Sequence, residues 1–235
     1  MKTIGLIGGM SWESTLPYYQ IINEVVNQKL GGYHSAKIVM VSVDFAEIEE
    51  LQTKGDWEKA GEILADAAKK LQLVGADFIV ICTNTMHKVA PQISVAITVP
   101  VLHIAIVTAY ELLGAKMKKV ALLGTKYTME EDFYKNKIEE FGIEVIVPEK
   151  ESREVVNNII FKELCKGEIN PAARQKMVHI INKMKAQGAE GVILGCTELG
   201  LLIKEKDSPL PLFDTTLIHA REAALKALFR TPMSE

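Results

Sequence analysis

Short, continuously apolar runs alternate along this chain with longer stretches whose apolar residues recur at helical spacing. The apolar runs predict strands at 3–7, 37–43, 78–82, 101–103, 120–124, 144–147, 192–194 and 212–213. Several are apolar at every position rather than at alternate ones, the pattern of parallel strands covered on both faces. Between them the spacing predicts helices at 15–30, 57–74, 129–141, 152–165, 171–187 and 216–230. Regular alternation of the two kinds of element predicts an α/β sandwich built on parallel sheets.

The order of elements repeats. Thr3-Ile4-Gly5-Leu6-Ile7-Gly8 is followed at length by Gly75-Ala76 and then Cys82. Lys119-Val120-Ala121-Leu122-Leu123-Gly124 is followed after a nearly equal gap by Gly188-Ala189 and then Cys196. Two pseudo-symmetric α/β domains facing each other across a cleft are expected from this repeat. The boundary is expected near 98–100, and the last helix is expected to cross back after 209–211. The first domain would then be 1–98 plus 212–235, and the second 99–211.

Candidate chemistry concentrates at two equivalent points. Cys82 closes the strand Phe78-Ile79-Val80-Ile81 and opens Thr83-Asn84-Thr85. Cys196 closes Gly191-Val192-Ile193-Leu194-Gly195 and opens Thr197-Glu198. A thiol at a strand end before a helix would lie in the field of unpaired backbone N–H groups, which favours thiolate and lowers its pKa. The hydroxyls and amide of Thr83, Asn84 and Thr85, with their backbone N–H groups, suit a carboxylate. Glu198 could orient a thiol or an α-amino group. The plain alternative for each cysteine is a small buried hydrophobe, and for Glu198 a charge that favours a helix start. Matched strand ends, each with Thr next, weigh toward function.

Ile7-Gly8-Gly9-Met10-Ser11-Trp12 gives a tight turn after the first strand, where glycines let the backbone approach an anion. It does not spell GxGxxG, and GxxxxGK[ST] is absent, so a small carboxylate is expected there rather than a nucleotide. Gly124-Thr125-Lys126-Tyr127-Thr128 is the counterpart. Thr125 and Thr128 could offer hydroxyls to the cleft, or Thr128 could cap the next helix. Cys165, ahead of Gly167, reads as a residue at a helix end. The five histidines are scattered without metal-ligand spacing, so no metal is expected and structural or supporting roles are.

Composition narrows the function classes. The chain has 235 residues, 48% hydrophobic and 24% charged, with net charge −3. No basic excess is present to neutralise phosphates, so no nucleic-acid partner is expected. Three cysteines without CxxC argue against a disulfide framework and for a reducing, cytoplasmic setting. Residues 89–110 carry no Asp, Glu, Lys or Arg, but Pro91, Gln92, Ser94, Thr98, Pro100 and His103 interrupt them, so no membrane span is expected. The first residues run straight into a strand and lack the apolar stretch of a signal peptide.

Gly8-Gly9-Met10-Ser11-Trp12-Glu13-Ser14-Thr15, Cys82-Thr83-Asn84-Thr85-Met86-His87, Gly124-Thr125 and Gly195-Cys196-Thr197-Glu198 together resemble the aspartate/glutamate racemase family, and their spelling looks like its YgeA-type branch. The resemblance implies an isomerase of D-amino acid metabolism that needs no cofactor, pyridoxal phosphate included, with its active site between two pseudo-symmetric domains. It implies Cys82 and Cys196 as the two catalytic bases, one on each face of Cα. It places substrate-binding loops at Met10, at Thr83, Asn84 and Thr85, and at Thr197 and Glu198, with Gln52 as a further candidate. It also implies a homodimer. Aspartate-selective relatives are expected to carry Arg in the loop after the second strand and Lys near position 165. Here 44–52 has neither cation but holds Asp44, Glu47, Glu49 and Glu50, and position 165 is Cys. A glutamate racemase would show His in place of Glu198. The substrate is therefore expected to be aspartate, glutamate or a member of a broader set of amino acids. The alternatives are another two-cysteine enzyme of the superfamily (hydantoin racemase, maleate isomerase or arylmalonate decarboxylase type) and a non-catalytic carboxylate-binding protein.

Overall fold

A computed structural model describes residues 1–229. In chain order the regular elements are β1 (Ile4–Gly8), α1 (Trp12–Leu30), β2 (Ile38–Ser42), α2 (Phe45–Lys54), α3 (Trp57–Leu73), β3 (Phe78–Ile81), α4 (Ala90–Ala96), β4 (Val101–Leu102) and α5 (Ile104–Gly114). Then come β5 (Lys119–Gly124), α6 (Lys126–Glu130), α7 (Asp132–Glu139), β6 (Glu144–Ile146), α8 (Lys150–Lys162), α9 (Pro171–Ala186), β7 (Gly191–Gly195), α10 (Leu199–Leu202), β8 (Leu212–Asp214) and α11 (Thr215–Leu228). Single 3-10 turns lie at Thr85–Val89, Leu164–Lys166 and Glu205–Asp207.

All strand pairs are parallel, and two four-stranded sheets form with the same order, β2-β1-β3-β4 and β6-β5-β7-β8. The chain divides into two compact units, Met1–His103 with the segment from His219 onward, and Ile104–Ile218. These bounds correct the expected ones. Residues 101–103, expected in the second domain, supply β4, which pairs with β3 of the first sheet. Residues 212–213, expected in the first domain, supply β8 of the second sheet. In both cases the proline-led segment does not end the sheet. It places its preceding carbonyl on the neighbouring strand, with Ile79 N donating to Pro100 O at 2.9 Å and Val192 N to Pro211 O at 3.0 Å. The passage back to the first unit therefore falls within α11 rather than at 209–211. Arg230, included in the expected last helix, and 231–235 lie outside the described residues.

The central strands of each sheet are dry on both faces, as their apolar runs require. β1, β3 and β7 are buried at every position, and β5 at all but Lys119. In the first unit α3 and α4 cover Ile7, Ile79 and Ile81 with Leu64, Ala68, Leu71 and Ile93. In the second, α8 and α9 cover Leu123, Val192 and Leu194 with Val156, Ile160, Met177 and Ile181. Each such Val, Leu, Ile or Met side chain contributes about 1.5–3 kcal/mol by leaving water. Among the described residues no helix is long and apolar enough to cross a membrane, and 89–110 is broken into α4, β4 and α5 as Pro91 and Pro100 dictate.

The expected helix 129–141 is instead two. The Thr125 hydroxyl accepts from Thr128 N and starts α6 earlier, and Glu131, extended at φ −99° and ψ 151°, separates α6 from α7. Thr128 is thus inside a helix, with its hydroxyl 3.2 Å from that of Thr125. α2 was not expected. Its acidic surface hides a short apolar face on which Ile48 and Gln52 are buried.

Candidate active site

In a parallel sheet whose strand order reverses, a crevice opens at the carboxyl ends of the two strands flanking the reversal. In the first unit those strands are β1 and β3, with Ile7 opposite Ile81. Gly8-Gly9-Met10 leaves one, and Cys82-Thr83-Asn84-Thr85 leaves the other. Only glycine serves at Gly9: its φ is +92°, and a Cβ there would lie 2.2 Å from Val43 O. The turn is then closed on itself, because the Thr15 hydroxyl accepts from Gly9 N at 2.9 Å and donates to Ser11 O at 2.8 Å. Met10 is buried and packs in the cluster that holds Ile7, Ile48 and Met86. Gln52, buried on α2, donates from Nε2 to Met86 Sδ at 3.0 Å and so ties α2 to the cysteine loop.

Cys82 is fully buried. Its N–H continues the sheet by donating to Ile7 O at 2.9 Å, and its sulfur lies 4.0 Å from Val80 O. Thr83, Asn84 and Thr85 are buried as well. Burial pushes the Cys82 thiol well above the usual thiol range. This corrects the expected lowering. The segment after Cys82 is a 3-10 turn beginning at Thr85, not an α-helix aimed at the sulfur, so desolvation dominates.

In the second unit the flanking strands are β5 and β7, with Gly124 opposite Gly195. They come together so closely that a Cβ on Gly124 would lie 2.7 Å from Gly195 O. Cys196 follows directly and is buried. Its thiol donates to Glu198 Oε2 at 3.0 Å, and the Thr197 hydroxyl donates to the same oxygen at 2.6 Å. Cys165 reaches the other oxygen, Sγ to Oε1 at 3.9 Å. Burial raises the Cys196 thiol well above its ordinary value, and the negative charge of Glu198 raises it further. The expected lowering is overturned here too. α10 has only four residues, and the carboxylate next to the sulfur opposes ionisation of the thiol.

The structure therefore gathers Cys82, Met10, Gln52, Thr83, Asn84 and Thr85 around the end of β3 in one unit. It gathers Cys196, Thr197 and Glu198 at the end of β7 in the other. Among the described residues no cluster of His, Cys, Asp or Glu fits a metal ion. Sequence reasoning missed two neighbours. Cys165 meets Glu198 only through tertiary folding, and no local pattern announces that contact. A buried group of Tyr18, His87 and His219 sits behind the Cys82 loop. The one sequence signal for it is histidine inside apolar stretches, as at Leu217-Ile218-His219-Ala220.

The chain is similar to known proteins along nearly its whole length. The family model described as Asp/Glu/Hydantoin racemase matches residues 7–223. The broad specificity amino-acid racemase RacX of Bacillus subtilis is 28% identical, over 93% of this chain and 95% of its own. The crystal structure of a proposed Asp/Glu racemase from Yersinia pestis is 53% identical and superposes with TM-score 0.91, over 97% of this chain and all of that one (100%). An aspartate racemase homologue from Pyrococcus horikoshii OT3 is 40% identical with TM-score 0.85, over the same shares of 97% and 100%. Two sheets of identical order, each with a cysteine at the end of its third strand, thus coincide with similarity along nearly the whole chain, which belongs to the Asp/Glu/hydantoin racemase family of isomerases.

Proposed function

We propose that this protein racemises amino acids by a two-base reaction without a cofactor, Cys82 and Cys196 addressing opposite faces of one Cα. The observation that carries the reading is the matched placement of the two thiols, each beside the strand-order reversal of its own sheet. One sulfur, as thiolate, takes the Cα proton and becomes a thiol, and the bonding electron pair stays with the carbon and its carboxylate. The other sulfur, as thiol, delivers a proton to the opposite face and becomes a thiolate. The roles exchange for the other enantiomer.

A Cα–H is a very weak acid, and burial keeps both thiols protonated at rest, so the thiolate that takes the Cα proton has to be formed by an acceptor beside it. Glu198 supports the reading, since its Oε2 stands ready to accept the Cys196 proton at 3.0 Å. Charge that builds on the substrate carboxylate would be met by the N–H and hydroxyl groups of Thr83, Asn84, Thr85 and Thr197. Met10 and Gln52 would border the substrate.

We place aspartate and glutamate within a broader set of amino acids. Residues 44–52 offer four carboxylates and no cation to a second substrate carboxylate, and the similar RacX is named for broad specificity. A cytoplasmic homodimer with no nucleic-acid or membrane partner completes the proposal. None of the three cysteines is in a disulfide, and Trp12, Leu16 and Tyr19 form an exposed apolar line on α1. Sedimentation of the wild type and of Leu16→Glu tests the dimer. A chiral assay across L- and D-amino acids, with aspartate, glutamate and homoserine in the first round, tests the activity. Appearance of the opposite enantiomer is expected, and tight binding without any change of configuration would refute the reading.

A further inference from the structure

Behind the Cys82 loop the buried imidazoles of His87 and His219 and the buried phenol of Tyr18, with half-buried His103 beside them, form a polar line through the first unit. His87 lies in the 3-10 turn that follows the loop, and its Nδ1 is 2.8 Å from Thr83 O. A carbonyl oxygen only accepts, so Nδ1 carries the proton and donates it. The His87 ring meets His103 edge-on at 4.6 Å and His219 at 5.7 Å between centroids. His219 is held from both sides. Its Nε2–H donates to Leu102 O at 2.8 Å, which leaves Nδ1 to accept from the Tyr18 hydroxyl at 2.9 Å. Tyr18 belongs to α1, the helix that the glycine turn opens into.

We propose that His87 is a positioning residue for Cys82: its Nδ1–H locks the Thr83 carbonyl and thereby sets where the Cys82 sulfur points. The peptide unit after Cys82 has its N–H on Ile81 O at 2.8 Å, and the next carbonyl is taken by His87. The N–H of Cys82 itself is on Ile7 O. The backbone on both sides of the Cα that carries the sulfur is therefore held, by sheet and turn bonds to Ile7 and Ile81 and, one residue on, by the His87 side chain. Both buried imidazoles are neutral in this environment. Burial, with the other rings of the cluster facing them, pushes the His87 pKa well down and that of His219 down to about 3. A neutral ring with its one proton on Nδ1 is the form that this contact needs.

The inference rests on the racemase reading, so its test carries one readout that does not. Asparagine places an amide N–H where His has Nδ1, whereas glutamine places it where His has Nε2, out of reach of Thr83 O. In the 235-residue chain, His87→Asn is expected to keep kcat near wild type. His87→Gln is expected to lose about 10- to 100-fold in kcat with KM little changed, the scale of a misplaced reacting group. In parallel, the rate of alkylation of Cys82 by iodoacetamide, read by peptide mass spectrometry against Cys196, is expected to change in His87→Gln and not in His87→Asn. If His87→Gln does not fold, His87→Ser takes its place in both comparisons. Equal behaviour of the two variants, or lost activity with an unchanged Cys82 to Cys196 labelling ratio, overturns the inference. If the wild type racemises nothing, the racemase reading fails and the labelling ratio alone decides the role of His87.

Discussion

The two cysteine sites share a place in the fold and differ in what surrounds the sulfur. The Cys82 sulfur lies 4.0 Å from a backbone carbonyl, Val80 O, and the His87 imidazole supports its loop from behind. Cys196 has a carboxylate in direct contact, and a second thiol on that carboxylate's far oxygen. The same strand-to-loop geometry thus holds one thiol against a backbone carbonyl and one against the Glu198 carboxylate. The scaffold is duplicated, but the groups that touch the two sulfurs are not.

The comparison breaks most severely if either sulfur is removed. Cys82→Ala and Cys196→Ala are each expected to lower kcat by about 10²–10⁴-fold, and in both directions, because each turnover uses one thiolate and one thiol. A chiral assay started from each enantiomer checks this, and loss in one direction only would show that the two sites do not act in one reaction.

Glu198→Gln sharpens the contrast. It removes the acceptor and the charge that raises the Cys196 thiol. Turnover is expected to fall by about 10²-fold as a proton acceptor is lost, while Cys196 alkylation at a fixed alkaline pH speeds up and Cys82 alkylation stays as it was. Equal acceleration at both cysteines would mean that Glu198 does not act on Cys196 specifically.

Acid should separate the two units. Burial lowers the pKa of His87, and that of His219 to about 3, so the unfolded chain binds these protons more readily. The stability they contribute is complete above the ordinary histidine value of 6.5 and is lost as pH falls from there toward about 3. The slope is about 1.4 kcal/mol per pH unit for each imidazole that titrates. In the second unit the opposite sign applies. Burial raises the Asp214 pKa, so its protonation on the way down in pH favours the folded state. Amide hydrogen exchange at pH 6.5 and in mild acid is expected to show β1, β3 and α1 losing protection before β5 and β7. The reverse order would refute this assignment of the titrating groups.

The smallest effect is expected at Cys165→Ala. Its contact with Glu198 is long, 3.9 Å, and a weak hydrogen bond of this kind contributes about 0.5–1 kcal/mol or less. Activity is expected to change by no more than a few-fold, with Cys196 labelling little altered.

Much of this was legible before folding was considered. Continuous apolar runs identified the buried parallel strands, because each is covered on both faces, and strand-end cysteines followed from where those runs stop. The fourth strand of each sheet was placed in the wrong unit. Two- and three-residue strands led by Pro100 and Pro211 carry too little pattern to show which sheet they join. The direction of the thiol pKa shifts lies outside what local sequence carries. Strand-end position is visible in sequence, but complete burial of the sulfur and the approach of Glu198 arise from packing. The His87–His219–Tyr18 line lay beyond local reading for the same reason, since its members come from α1, α11 and a 3-10 turn.

The central claim is that a proton leaves Cα to one sulfur and returns from the other. Turnover of a single enantiomer in heavy water tests it most directly, with the product analysed by chiral separation and mass spectrometry. The wild type is expected to yield the opposite enantiomer carrying one solvent deuteron at Cα, and the Cys82→Ala/Cys196→Ala protein is expected to yield none. Product that retains its original hydrogen, or product formed by the double variant, would contradict the account.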